Sequence, residues 1–158
     1  MKSIHLLLIF CCALSCLVGC SKQGNPEGRL DVSGTVTLNG SPFGVAGSYY
    51  IAFEPIDDPS SGPTSGTIDW VTGKYSCTMH DGLKPGKYRV KFSAMAQYDK
   101  RTNKPVAPDF VEEDLVKVSY TVPMLPADFN EQNIIEFEAV KGKKNVFDYD
   151  IKAEVQLP

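Results

Sequence analysis

Histidine is almost missing from this chain: there are two in 158 residues, His5 and His80. In the body of the chain, a metal site or a nucleophile–base pair would have to be built on His80 alone, which removes most zinc, serine and cysteine chemistry. Cysteine is as poorly placed. Four of the five, Cys11, Cys12, Cys16 and Cys20, crowd the first twenty residues. Cys77 is then left without an intrachain disulfide partner, and the fold has to stand on its core. A basic excess is lacking too. Sixteen Lys and Arg face nineteen Asp and Glu, a formal charge of −3, which argues against nucleic acid as a partner because phosphate binding is chiefly a Lys/Arg effect. No apolar run reaches the ~20 residues of a membrane-crossing helix, and no segment carries a helical apolar stripe.

What the N-terminus does have is the pattern of a targeting segment. Lys2 precedes an apolar stretch from Ile4 to Leu14, which ends in Leu17-Val18-Gly19-Cys20. These residues resemble the lipobox of bacterial lipoprotein signal peptides, in which a small residue stands before an acylated cysteine. The resemblance implies that residues 1–19 are a cleaved signal peptide and that Cys20 carries the lipid of the mature chain. The membrane is then a partner through that anchor, which is firm because each buried CH₂ contributes ~0.8 kcal/mol and more than one chain is attached. Ser21 resembles the residue that permits sorting to the outer membrane, so the expected location is the outer membrane or cell surface of a bacterium. Loss of residues 1–19 leaves 139 of the 158 residues, and loss of Lys2 moves the formal charge from −3 to −4.

Residues 20–29 are polar, with Gly and Pro and no periodicity, as expected of a flexible tether. From residue 30 to 158 the pattern has period two. Leu30, Val32, Gly34, Val36 and Leu38 alternate with polar residues, and Asn39-Gly40 is a strong hairpin signal because both tolerate φ > 0. Tyr49, Ile51 and Phe53 share the apolar parity of a second strand. Tyr75, Cys77 and Met79 do the same after a turn at Gly73, and Tyr88, Val90, Phe92 and Ala94 follow the Pro85-Gly86 turn. Val116 to Val122, Ile135 to Ala139 and Phe147 to Leu157 complete the series, whereas Gln97 to Asp114 reads as a long loop. Seven to eight short strands separated by turns predict an all-β protein, an antiparallel β-sandwich.

Several of these segments form a known scheme. Val32-Ser33-Gly34-Thr35-Val36 with Asn39-Gly40, Ala52-Phe53-Glu54-Pro55, Gly73-Lys74-Tyr75, and Leu83-Lys84-Pro85-Gly86-Lys87-Tyr88 resemble the carboxypeptidase regulatory-like domains. Pro126 to Asn130 and Asn145 to Asp150 resemble a subset of these found in small bacterial lipoproteins. The resemblance implies a transthyretin-like sandwich that is not an enzyme, with no catalytic residues and no cofactor to carry over.

The residues agree with that expectation. Cys77 and His80, an odd number apart on a predicted strand, would face opposite ways. The acidic runs Asp57-Asp58 and Glu112-Glu113-Asp114 lack the spacing of a calcium loop, and the reading of them as Ca²⁺ ligands that stabilise a surface domain is a minor alternative. Most aromatics fall on buried parity, and the Tyr88 hydroxyl is placed to lock the Pro85-Gly86 turn. Trp70, Tyr98, Phe110 and Phe129 fall in predicted turns or loops. Trp70, Tyr98 and Phe110 are the candidate ligand contacts, since exposed aromatics stack on sugars or partner proteins. The expected function is a membrane-anchored, non-enzymatic module for envelope or protein interaction, its partner an envelope protein or polysaccharide, with a carbohydrate-binding module that uses the loop aromatics as the alternative.

Overall fold

A computed structural model describes residues 28–106 and 118–155. The signal segment, nearly all of the tether, Phe110, the Glu112-Glu113-Asp114 run and residues 156–158 lie outside the described residues.

The structure is an all-β sandwich, with ten strands among the described residues, several of them very short. Strands β1 (Val32–Leu38), β4 (Lys74–Cys77), β9 (Asn145–Val146) and β10 (Tyr149–Ile151) make one sheet, with β1 in the middle. Strands β2 (Gly47–Pro55), β3 (Thr64–Thr67), β5 (Gly86–Asp99), β6 (Lys104–Pro105), β7 (Ser119–Pro123) and β8 (Ile135–Ala139) make the other. The first sheet is mixed, because β9 and β10 run parallel to β1.

Period two sets the core. Tyr88, Val90, Phe92, Ala94, Ala96 and Tyr98 of β5 are buried, and they meet Tyr49, Ile51 and Phe53 of β2 and Val32, Val36 and Tyr75 of the facing sheet. Two tyrosines close the corners by the same device. Tyr88 Oη donates to the Lys84 carbonyl at 2.8 Å, as expected, and Tyr49 Oη donates to the Val45 carbonyl at 2.8 Å.

The Asn39-Gly40 turn forms, with φ of 53° and 86°, and the Leu38 N–H donates to the Ser41 carbonyl at 2.7 Å. The strand that follows does not return along β1, however. Both edges of β1 are already occupied, by β4 and by β9 with β10. Phe43 instead carries the chain to the second sheet, where its ring stacks on Tyr49 at 4.3 Å between centroids.

Side chains complete the ladders where strands run out. Asn130, in the single helical turn α1 (Phe129–Gln132), accepts from the Phe92 N–H at 2.9 Å and donates to the Phe92 carbonyl at 2.8 Å. Its amide thus stands in for a strand in the gap between β7 and β8. On the other sheet, Asp148 accepts from the Thr35 N–H at 2.7 Å, and Asp150 accepts from Thr37 Oγ1 at 2.8 Å and from the Gly40 N–H at 2.7 Å.

The Lys152 side chain, the Gly40 N–H and the Thr37 hydroxyl hold the Asp150 carboxyl well below the usual carboxylate range, at about 2. A carboxyl depressed on folding stabilises the fold above its unfolded pKa, and that contribution disappears as pH falls through the folded value. Asp150→Asn should therefore melt below wild type at neutral pH. The gap should close between about pH 5 and pH 2, as followed by thermal melts across that range. A gap that stays constant with pH would mean that the carboxylate charge plays no part.

Candidate functional site

Trp70 sits in the turn that joins β3 to β4, and the turn is stiff. Asp69 Oδ1 accepts from the Thr72 N–H at 2.7 Å, from the Thr72 hydroxyl at 2.8 Å and from the Val71 N–H at 3.1 Å. The Thr72 hydroxyl and N–H hold the Asp69 carboxyl below its ordinary range. Gly73, at φ 73°, lies against β1, where a Cβ would stand 2.5 Å from the Val36 carbonyl oxygen. The Trp70 carbonyl accepts from the Gly44 N–H at 2.9 Å, which fastens the turn to the segment that follows β1.

A gap opens behind this turn. The Asp69 N–H donates to the Lys74 carbonyl at 2.8 Å, but the two strands then part, β3 to pair with β2 and β4 to pair with β1. By the alternation of an antiparallel ladder, the main-chain groups of Thr67 and Ser76 face across the gap. The result is an open groove of about 690 Å³ lined by Thr67, Asp69, Trp70, Lys74, Tyr75 and Ser76, among others. Trp70 is half-buried, leaving part of its ring available, and Val71 beside it is 57% exposed. Tyr75 forms the groove's inner wall. It is buried, its hydroxyl donates to the Phe147 carbonyl at 2.9 Å, and burial pushes its phenol pKa up. An indole, an acid, an ammonium and two hydroxyls in one concave strip can stack on a ring and hydrogen-bond its substituents.

The other candidate residues lie elsewhere. Tyr98, expected in a loop, is instead the last inward residue of β5, 3% exposed, with its ring 5.8 Å from that of Tyr120. With no open face, it has nothing to offer a ligand. The signal for this is present in the sequence, since Ala96 and Tyr98 continue the parity of Tyr88 through Ala94. Phe129, also expected in a loop, is buried in α1. Cys20 and Phe110 lie outside the described residues. Tyr50 is an aromatic that the parity of β2 turns outward. It is 44% exposed and pairs across the strands with Thr67 at the groove.

Cys77 is 1% exposed, and burial, with the Asp81 carboxylate adding to it, pushes its thiol up to about 11. His80 is exposed on a 3-10 turn (Met79–Asp81). Both carboxylate oxygens of Asp58 are taken by the Ser60 and Ser61 hydroxyls, and Asp57 accepts from the Lys87 N–H at 3.3 Å. Among the described residues, no three His, Cys, Asp or Glu side chains converge as a metal site would need. Among the same residues, no helix is long and apolar enough to cross a membrane.

No family model and no curated protein matches the chain. Among solved structures it is similar to a candidate adhesin from Bacteroides ovatus. The two are 13% identical over 80% of this chain and 44% of the other, with a TM-score of 0.39. This chain thus spans less than half the length of that protein.

Proposed function

We propose that the chain is a bacterial lipoprotein, acylated on Cys20, that presents its β-sandwich as a non-enzymatic binding module at the outer membrane or cell surface. A carboxypeptidase regulatory-like domain with transthyretin-like topology is the class proposed for the sandwich, on the segments that carry that resemblance. The observation that bears most on function is the position of the Trp70 groove. The chain comes into the sandwich at Leu30, which bridges to Leu83 beside the start of β1. The Trp70 turn lies beyond the other end of β4, next to Val36 near the end of β1. A module tethered through residues 20–29 would therefore hold the groove away from its anchor.

An envelope protein is one class of ligand for such a groove. The half-buried indole beside Asp69, Lys74, Thr67 and Ser76 favours a second class, a polysaccharide of the envelope.

Two measurements test these proposals separately. Cys20→Ser should move the protein from the membrane to the soluble fraction or leave it as uncleaved precursor, and unchanged fractionation would refute the anchor. Trp70 is the only tryptophan, so fluorescence excited selectively at tryptophan reports on the groove. Titration with envelope polysaccharides should shift its emission, and Trp70→Ala, which carries no tryptophan and is compared with wild type by calorimetry, should weaken binding by roughly tenfold or more, the usual worth of a stacking aromatic. Binding that survives Trp70→Ala unchanged would move the site away from the groove.

A further inference from the structure

We propose that the β8–β9 turn, Lys141-Gly142-Lys143-Lys144, is a docking surface for the anionic phospholipid headgroups of the bilayer that holds the chain. The inference rests on the anchored reading above and says which end of the domain faces the membrane. The turn places three lysines in four residues, all exposed, and Gly142 at φ 79° allows the chain to reverse within them. Their ammonium groups enter none of the ion pairs among the described residues, which are Lys91–Glu54, Arg101–Asp99 and Lys152–Asp150. Asn145 fixes the base of the turn. Its side-chain amide accepts from the Val140 N–H at 2.8 Å and donates to the Val140 carbonyl at 3.3 Å.

Topology gives the turn its address. Parallel pairing of Val32 with Asn145 puts Lys144 level with Asp31, where the tether joins the fold. The pairing of Gly86 with Ala139 brings the Lys84 turn to the same end. Residues 20–28 can span at most about 30 Å even when fully extended, so an anchor at Cys20 keeps this end of the domain within that reach of the bilayer. That reach lets the lysines come within the screening length of about 8 Å at physiological salt.

Acids are present at this end too, namely Asp31, Asp57, Asp58 and Asp81. Asp57 and Asp58 are occupied by hydrogen bonds from the Lys87 N–H and from Ser60 and Ser61. Those hydrogen bonds come from neutral donors and leave the carboxylates charged, but on a chain of formal charge −3 the three lysines beside the tether are exposed and enter no ion pair among the described residues, and they match an anionic bilayer in charge.

The test uses the purified full chain with vesicles of phosphatidylcholine alone or mixed with phosphatidylglycerol. Co-flotation with neutral vesicles reports the anchor. Hydrogen exchange at the amides of residues 141–146 reports docking. Those amides should exchange about tenfold more slowly on anionic than on neutral vesicles, and the difference should vanish at high salt. It should also vanish in the triple variant Lys141→Gln, Lys143→Gln, Lys144→Gln and persist when all three are changed to Arg. If the chain fails to float with neutral vesicles, the anchor is refuted. Low-salt flotation with anionic vesicles, and its loss in the glutamine variant, then reads docking directly. Equal exchange on both vesicles, or protection that survives the glutamine changes, overturns the proposal.

Discussion

Replacing Phe53 with alanine should cost about 3–5 kcal/mol of folding stability and lower Tm by roughly 10–20 °C. The residue lies in the second half of β2, on the parity that β2 turns inward, and is 0% exposed. Its ring joins the two sheets. On its own sheet it meets Tyr88 edge-on at 6.4 Å and Phe137 at 5.7 Å, and on the facing sheet it meets Tyr75 at 6.2 Å and Phe147 at 6.1 Å. Alanine removes the ring and leaves a void walled by four aromatic side chains, three of them on strands and the fourth, Phe147, on the link between β9 and β10. Such truncations are costly because the lost transfer energy and the cavity add together. With Cys77 as the sole cysteine of the described residues, no disulfide in them limits the damage. Phe53→Leu, which refills most of the space, should recover more than half of the loss. Chemical denaturation of the three proteins checks this. A loss below about 1 kcal/mol for the alanine variant would mean that the ring is not enclosed as described.

The inward positions of the strands could be read directly, because burial on one face imposes period two on the side chains. Val32, Val36, Tyr49, Ile51, Phe53, Tyr75, Val90 and Phe92 are all where alternation puts them. Which strand lies beside which could not be read. Asn39-Gly40 is a local signal, and it correctly gives a tight turn. The occupants of the β1 edges come from residues 74–77 and 145–151, and no local pattern encodes that pairing. The same holds for Asn130. Its amide matters because it meets Phe92, 38 positions away in sequence, and an asparagine in a polar segment gives no hint of this. Of the candidate site, Trp70 was visible as the only tryptophan, but its groove was not. A groove made by two strands parting into different sheets is a property of topology.

Gly34→Ala is expected to be more damaging than a glycine substitution at a turn, although a turn is where glycine is usually indispensable. At Gly40, φ is 86° and nothing lies within 4 Å of the point a Cβ would occupy, so alanine there costs only backbone strain, about 1 kcal/mol. Gly34 has the ordinary extended backbone of a strand, but a Cβ there would lie 1.9 Å from the Phe147 carbonyl oxygen and 2.6 Å from its carbon. Neither side can retreat. β1 is held by β4 through the pairing of Gly34 with Tyr75. The Phe147 peptide is held by its N–H on the Ser33 carbonyl at 3.0 Å and by the Tyr75 hydroxyl on its own carbonyl at 2.9 Å. Both obstructing atoms belong to the main chain, so no rotamer change relieves the clash. The parallel seam between β1 and β9–β10 must open, which should cost at least about 3 kcal/mol. Hydrogen exchange should show the Thr35 and Phe147 amides losing protection first, because their partners are Asp148 and Ser33 across that seam. If Gly34→Ala is tolerated within about 1 kcal/mol while Gly40→Ala costs more, the close approach at Phe147 is not what requires glycine at this strand position.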